Sequence, residues 1–397
     1  MRSLRLVLLS LICSPAGLAS VLLLAQAVHA QTLTTLHSFT GAPHDGANPT
    51  ASVILDAEGN LYGTTTIGGE HCSQGCGTVF KSTPTGVESV LYAFYGGINA
   101  DPNSSLIFDV TGNLYGTPAG CTVFRLRDQR YRKILYGFKQ TDNGLRPMSG
   151  LVSDAQGNFY GTTQYGGTGE CDGALPGCGV VYKLTPAGVE TVLYSFKGKF
   201  DGEYPQSVLV RDTRGNLYGT TEYGGASGYG VVFKLTATGK FSVLHDFTSS
   251  PDGALPLAGL VTDLHGNLYG TTIEGGTTGC LFGCGTIFKL TPSGKETVLY
   301  RFTGTPDGSN PYARVAFDAQ GNLYGTTAGG GANDQGTVFE LTPSGNETAL
   351  YSFCAQTNCT DGAFPQAGVS LDAQGNLYGT TILGGTKNDG TIFKVTP

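Results

Sequence analysis

Eight cysteines stand in close pairs that could form either disulfides or metal sites. The pairs are Cys72 with Cys76, Cys171 with Cys178, Cys280 with Cys284, and Cys354 with Cys359. Zinc sites usually combine cysteine with histidine at short spacing, and here only His71 lies beside a pair. Neighbouring pairs in an exported chain are more typical of disulfides. We therefore expect four disulfides, no metal and no cofactor, with Cys121 left as an unpaired thiol.

An aspartate recurs in the motif DGxxP and could bind a cation or a polar ligand. The acidic members are Asp45, Asp201, Asp252, Asp307 and Asp361. Asn143 replaces the acid in one copy and Ile98 in another, so a ring of carboxylates would be incomplete. The alternative is a capped turn that every copy needs for the same bend. We favour the turn, because a fold requirement repeats one residue type whereas a binding site normally breaks the symmetry.

Four aromatic residues in loops offer contact surface for a ligand: Tyr165, Tyr223, Tyr229 and Phe282. We expect them to be exposed, and exposed aromatic side chains often carry binding energy at interfaces. Packing within the loops would explain the same residues equally well.

No catalytic constellation is found. The histidines after residue 30 are scattered, and His37 and His245 occupy a position that tyrosine fills in most other copies of a repeated strand. Phosphate-binding loops, a nucleophile elbow and a haem attachment motif are all absent. We predict no catalytic residue, and a non-enzymatic role is favoured over an enzymatic one.

The residues above are set in one repeated unit. GNLYGT or a near copy begins at Gly59, Gly112, Gly157, Gly215, Gly266, Gly321 and Gly375. The spacing averages about 53 residues, which is typical of a β-propeller blade. Each copy follows an apolar run ending in DxxGN, which indicates a hairpin, and precedes two further runs of the types GTVFKLTP and VLYSF. The pattern predicts an all-β chain of four-stranded antiparallel units.

The phase of the repeat predicts how the units are joined. Six copies of the VLYSF run follow their own units, but the seventh, Thr35–Phe39, precedes the first hairpin. The last unit stops after its third strand. Pairing the spare strand with the last unit would close a seven-bladed β-propeller and remove its exposed strand edges.

In such a ring the loops divide between two faces. The turns between strands one and two and between strands three and four are short and uniform, so we expect them to be structural. The loops between strands two and three and the crossings between blades vary and lie on the other face. We place any ligand on that face, with the DGxxP aspartates near the mouth of the central channel.

The combination of GNLYGTT, the GG that follows it, GTVFKLTP and VLYSF resembles the GloVer tandem-repeat family of exported bacterial proteins. The resemblance covers nearly all of the chain after residue 30 and implies a propeller-like fold. No established activity comes with the family, so no catalytic residue is implied. Family members often carry a surface anchor after the repeats, whereas here the last strand ends at Pro397, and we expect no anchor.

The first 30 residues are predicted to be a secretory signal peptide. Arg2 and Arg5 precede the apolar run Leu6–Leu24, and Ala30 ends a stretch with small residues at the cleavage positions. An uncleaved anchor is the alternative. No second apolar stretch follows, so residues 31–397 are predicted to form one soluble propeller domain, secreted or periplasmic. The net charge of −7 is of the wrong sign for a nucleic-acid binder.

These observations favour an exported, monomeric propeller that binds an extracellular glycan or protein through the disulfide-containing loops. The alternative is a propeller enzyme, such as a polysaccharide lyase or hydrolase. It predicts a cluster of carboxylate, histidine or tyrosine side chains with shifted pKa values at the channel mouth, confined to a few blades.

Overall fold

The computed structural model describes residues 31–396, except for residues 74, 97–99, 129, 139–142, 172–174 and 277–278. All of these belong to one unit, Gln31–Pro397. The predicted signal peptide and Ile98 lie outside the described residues. Within the described part of the chain, no helix has the length and hydrophobicity needed to cross a bilayer.

Strands account for the regular structure of the described residues. In chain order they are β1 (Thr32–Ser38), β2 (Gly46–Ala47), β3 (Ile54–Leu55), β4 (Leu61–Thr65), β5 (Ile67–Gly68), β6 (Thr78–Ser82), β7 (Glu88–Ala93), β8 (Ile107–Phe108), β9 (Leu114–Gly116), β10 (Thr122–Arg127), β11 (Tyr131–Gly137), β12 (Val152–Ser153), β13 (Phe159–Thr163), β14 (Val180–Leu184), β15 (Glu190–Ser195), β16 (Val210–Arg211), β17 (Leu217–Thr221), β18 (Val231–Leu235), β19 (Phe241–Asp246), β20 (Val261–Thr262), β21 (Leu268–Thr272), β22 (Thr286–Leu290), β23 (Glu296–Arg301), β24 (Ala316–Phe317), β25 (Leu323–Thr327), β26 (Thr337–Leu341), β27 (Glu347–Ser352), β28 (Ser370–Leu371), β29 (Leu377–Thr381) and β30 (Thr391–Thr396). A 3-10 turn covers Thr357–Cys359.

The strands form seven four-stranded antiparallel sheets arranged as a seven-bladed β-propeller. Blade 1 has the order β3-β4-β6-β7, blade 2 β8 to β11, blade 3 β12 to β15, blade 4 β16 to β19, blade 5 β20 to β23, blade 6 β24 to β27, and blade 7 β28-β29-β30-β1. The first strand of each blade is short and lies nearest the ring axis, and the fourth is outermost. β2 and β5 form a small extra ladder in the crossing to blade 1.

The repeated motif builds each blade from local contacts. In blade 1 the side chain of Asp56 accepts hydrogen bonds from the backbone N–H of Asn60 at 2.8 Å and from the hydroxyl of Tyr62 at 3.0 Å. Burial raises the pKa of the Asp56 carboxyl, but these hydrogen bonds outweigh it and hold the pKa below its usual value. Gly63 is needed for space, since a Cβ there would lie 2.5 Å from the ring of Phe80. The DxxGN and LYGTT residues are therefore structural, as the sequence predicts.

Both faces of every blade are buried against a neighbouring blade. Seven apolar clusters lie between consecutive blades, and one of them joins blade 7 to blade 1 through Phe39, Val53 and Ile392. An edge-to-face aromatic pair, with ring centroids 5.0–5.3 Å apart, repeats at every interface: Phe39–Phe80, Phe94–Phe124, Phe138–Tyr182, Phe196–Phe233, Phe247–Phe288, Phe302–Phe339 and Phe353–Phe393. This arrangement explains why the strands carry apolar residues on both sides.

The amino-terminal strand closes the ring, as the phase of the repeat predicts. β1 pairs antiparallel with β30 from Thr32 opposite Thr396 to Ser38 opposite Thr391, with a bulge between Thr35 and His37. Blade 7 also contacts the chain entering blade 1, where the hydroxyl of Ser370 donates to the carbonyl of Val53 at 2.6 Å. The carboxyl-terminal blade is therefore completed by the first strand.

The four cysteine pairs form the four predicted disulfides. Each joins residues only 4 to 7 positions apart. Loops this short contribute less than about 3 kcal/mol by chain entropy, so the bonds mainly fix the shape of their loops. Cys121 is a free, half-buried thiol.

Replacement of Phe39 tests whether the amino-terminal strand closes the ring. Its ring is fully buried in the interface between blades 7 and 1, in the environment that Phe247 has between blades 4 and 5. We expect Phe39→Ala and Phe247→Ala each to lower the free energy of unfolding by about 3–5 kcal/mol. Urea denaturation measures both. A much smaller loss for Phe39→Ala than for Phe247→Ala would contradict docking of the closing strand.

Candidate functional site

The DGxxP aspartates tie the crossing loops to the outermost strands. Asp307 accepts a hydrogen bond from the hydroxyl of Tyr300 on β23 at 2.7 Å, and others from the backbone N–H and hydroxyl of Thr303. Asp252 lies in the same way against His245, with Nε2 and Oδ2 3.0 Å apart. Asp45 and Asp361 repeat the arrangement with His37 and Tyr351, and Asp201 does so with Tyr194.

The expected position of these aspartates at the channel mouth is wrong. Asp45, Asp252, Asp307 and Asp361 are buried, and Asp201 is half-buried. Their oxygens are occupied by loop amides and by side chains of outermost strands, away from the axis. The turn interpretation agrees with this geometry, because the carboxylates hold the same bend in each crossing. Their surroundings give no support to a role as contacts for a ligand at the channel mouth.

A second carboxylate from the following blade approaches Asp252 and Asp307, as Glu88 approaches Asp45. Glu296 on β23 lies near Asp252, and Glu347 on β27 lies near Asp307. Burial, and then repulsion from the aspartate, raise the pKa of each glutamate to about 7. Oε1 of each is buried and makes no hydrogen bond with any described residue. These acids therefore affect stability at the blade interfaces.

The central channel is lined by the residues that follow the crossing prolines. A cavity of about 130 Å³ lies there, and all seven crossings contribute to its wall. Among the described residues lining it, Arg314 alone is charged. The side chain of Arg314 has a surface that is accessible from the channel. Protein atoms nevertheless surround its guanidinium group, and this burial lowers the pKa of that group.

Beside the channel, polar side chains from blades 4 to 6 form what we call the channel-mouth cluster: Gln206, Glu222, Tyr223, Glu274 and Tyr312. The amide of Gln206 donates a hydrogen bond to Glu222 Oε2, and Gln206 and Tyr312 also line the channel. Burial raises the pKa of the Glu222 and Glu274 carboxyls, although hydrogen bonds from Gln206 and Tyr223 offset part of the effect at Glu222. Burial and the two nearby carboxylates raise the pKa of Tyr312.

The two glutamates break the symmetry of the ring. At the position of Glu222, other blades carry Thr66, Gln164, Ile273, Ala328 and Ile382. At the position of Glu274, they carry Ile67, Tyr165, Tyr223, Gly329 and Leu383. The sequence analysis named only Tyr223 of this cluster, because it compared the residues that the copies share. The available signal was the residue pair directly after each GTT, where only blades 4 and 5 carry acid.

Tyrosines from blades 3 and 4 extend the cluster outward. Tyr204 lies between Tyr165, with ring centroids 5.1 Å apart, and Tyr223, at 6.3 Å. The guanidinium of Arg146 lies 5.9 Å from the centre of the Tyr165 ring. Tyr165 is only 9% exposed, so the expectation that it is exposed is wrong, because Tyr204 from the next crossing covers it. Tyr223 is 41% exposed and is accessible to a ligand.

A backbone contact common to all blades positions Tyr204. The residue before each crossing proline has a left-handed conformation, with φ of 58° at Tyr204. The N–H of Tyr204 donates to the carbonyl of Cys178 in blade 3, and its carbonyl accepts from the N–H of Glu222 in blade 4. The side chain is thereby held on the loop face between two blades.

The other two aromatic candidates lie in the loops of blades 4 and 5. Tyr229 is half-exposed, and Phe282 is 66% exposed within the loop closed by Cys280 and Cys284. Neither makes a ring contact with another described aromatic residue. The structure therefore joins Tyr165 and Tyr223 through Tyr204, and leaves Tyr229 and Phe282 as separate exposed side chains.

Comparison with known proteins agrees with the repeat pattern. The model of the Gloeobacter/Verrucomicrobia repeat matches residues 23–170, 119–305 and 278–397, which together cover almost the whole chain. The chain belongs to the Gloeobacter/Verrucomicrobia repeat family. No curated protein matches this family member in sequence.

Several solved structures are similar to this Gloeobacter/Verrucomicrobia repeat protein, and one of those described here supports the fold. The extracellular domain of a one-component system from B. thetaiotaomicron aligns with a TM-score of 0.55 and 12% identity over 89% of this chain. The alignment spans 39% of that domain. A luciferin-regenerating enzyme aligns over 92% of this chain and 95% of its own, with a TM-score of 0.46 and 13% identity. At these identities the first likeness concerns the fold alone, and the second carries no argument.

The half-buried glutamates at the blade interfaces predict a pH dependence of stability. A carboxyl whose pKa is raised on folding stabilises the protein at low pH and loses that contribution as pH rises. As the pH rises from 5 to 7, ionisation of Glu296 and Glu347 should therefore lower the free energy of unfolding. Urea midpoints measured from pH 5 to 8 should fall less steeply for Glu347→Gln than for the wild type. The exposed Glu58→Gln variant should keep the wild-type slope, and an equal slope in all three proteins would contradict the assignment.

Proposed function

We propose that this protein is exported and binds an extracellular glycan, without catalysis, at the channel-mouth cluster. The observation that supports the proposal is the confinement of Glu222, Glu274 and Tyr312 to three of seven otherwise repeating blades. Repetition of the fold does not require these residues. A polar group placed in only part of a symmetric scaffold is better explained by a ligand.

The chemistry of the cluster suits sugar hydroxyl groups. Glu222 and Glu274 offer carboxylate acceptors, Gln206 offers an amide, and Tyr223 and Tyr312 offer both hydroxyls and accessible ring surface. A site of this kind combines a few directed hydrogen bonds with aromatic contact area. Arg314 inside the channel adds a positive charge that would favour a glycan carrying carboxylate groups.

Glycan cleavage at the same site is the second candidate. The cluster has the shifted pKa values and the restricted distribution that a propeller enzyme predicts. Catalytic acid–base pairs, however, have environments that push their pKa values apart. Here the pKa values of both glutamates are raised, and Tyr312, with its raised pKa, is a poor base. We therefore favour binding without turnover.

The cysteines and the amino-terminal sequence support an extracytoplasmic compartment. Four disulfides form in the described residues and are consistent with an extracytoplasmic protein. With the predicted signal peptide, we propose secretion or release into the periplasm, as a monomer and without nucleic-acid or membrane partners.

A glycan array probed with the labelled protein tests the function. We expect binding to a subset of polysaccharides, and at least about a tenfold loss in Glu222→Gln and Tyr223→Ala, because each removes a contact of roughly 1.4 kcal/mol or more. Phe282→Ala removes an exposed aromatic of similar size outside the cluster and should bind like the wild type.

The outcomes separate the alternatives. Loss in Phe282→Ala with retention in Tyr223→Ala would move the site to the disulfide loops. Release of reducing or unsaturated ends from a bound polysaccharide, abolished by Glu222→Gln, would establish the enzymatic alternative. Absence of binding across the array would contradict the glycan proposal.

A further inference from the structure

Three side chains of different segments bring a nitrogen and two carboxylates together where the ring closes. His37 lies on β1 of blade 7, Asp45 in the crossing loop, and Glu88 on β7 of blade 1. His37 Nε2 lies 3.1 Å from Asp45 Oδ2. One ligand atom from each of the three residues lies within 4.8 Å of the others.

We propose that His37, Asp45 and Glu88 bind a zinc ion that joins the closing strand to the first blade. Imidazole nitrogen and carboxylate oxygen are common zinc ligands, with bonds of about 2.0–2.2 Å. Two ligand atoms of one ion are therefore separated by less than about 4.4 Å. The three atoms lie within 4.8 Å of one another, so their side chains would draw together on binding. The remaining coordination positions would be filled by water.

The surroundings of Glu88 favour a cation. Oε1 of Glu88 is buried and makes no hydrogen bond with any described residue, as is also true of Glu190, Glu296 and Glu347. Among the described residues, however, only Glu88 lies within 4.8 Å of both a histidine nitrogen and an aspartate oxygen. A buried carboxylate without a donor is costly unless it is paired or coordinates a metal. A divalent ion would satisfy that oxygen and offset the repulsion between the two acids.

Comparison with the other blade interfaces shows how the interface between blades 7 and 1 differs from them. Tyr300 and Tyr351 take the place of His37 in two of them, and a tyrosine hydroxyl is not among the usual zinc ligands. At the interface of blades 4 and 5, His245 does face Asp252. Among the described residues, however, only His37, Asp45 and Glu88 place three such ligand atoms within this distance.

Zinc binding requires a change in the role of His37. The contact of Nε2 with Asp45 is a hydrogen bond when Nε2 carries the proton. With the proton on Nδ1, the Nε2 lone pair is free for the ion, and Asp45 keeps its hydrogen bonds from the backbone N–H groups of Thr40 and Gly46.

The test compares zinc binding by matched variants. After treatment with a chelator, the full chain is titrated with Zn²⁺ by calorimetry, and its melting temperature is measured with and without Zn²⁺. The wild type should bind one zinc per chain and melt at a higher temperature with it. His37→Tyr introduces the residue that other interfaces carry, so it should fold, but it should lose both effects. His245→Tyr makes the same change at the second interface and should behave like the wild type.

Two further variants keep the outcome decisive. Glu88→Gln retains the size of the side chain and should also lose the zinc-induced rise, even if His37→Tyr folds poorly. His71→Gln removes a half-buried histidine outside the triad and should keep the zinc-induced rise. Absence of stoichiometric zinc binding in the wild type would overturn the proposal, as would an equal rise in His37→Tyr or its loss in His71→Gln.

Discussion

Each blade of this protein buries both of its faces, and the ring must therefore close. An aromatic pair crosses every interface, including the one formed by Phe39 and Phe80 between the last blade and the first. An open array would expose the apolar face of two blades and the unpaired edge of β30. Pairing of β1 with β30 removes both exposures at once, so the position of every other loop depends on those few residues at the amino terminus.

Closure also fixes which side chains can meet. Crossing loops from successive blades converge on the axis, so residues far apart in sequence, such as Gln206 and Tyr312, line one channel. The same geometry sends the DGxxP aspartates outward against the fourth strands, where they hold the crossings in place. The ring thus separates a structural set of acids at the blade interfaces from the acids at the channel mouth.

The architecture was predictable because the period of the sequence repeat and the offset of its strands along the chain determine it. Seven copies of GNLYGT set the number of blades, and the displaced strand Thr35–Phe39 predicts the closure. The disulfides follow from close cysteine pairs. The candidate site was not predictable in the same way, because Glu222 and Glu274 lie at positions where the copies differ. Only the folded ring shows that they lie near Tyr312. Tyr165 shows the same limit, since its burial depends on Tyr204 from the following crossing.

Hydrogen–deuterium exchange of the closing strand tests this account most directly. The amides of β1 that bond to β30 should be protected to the same degree as those of β23, the outermost strand of blade 5, because both strands pair with a third strand in the same way. Exchange of β1 at the rate of an unstructured segment, with β23 protected, would contradict a ring closed by its amino terminus.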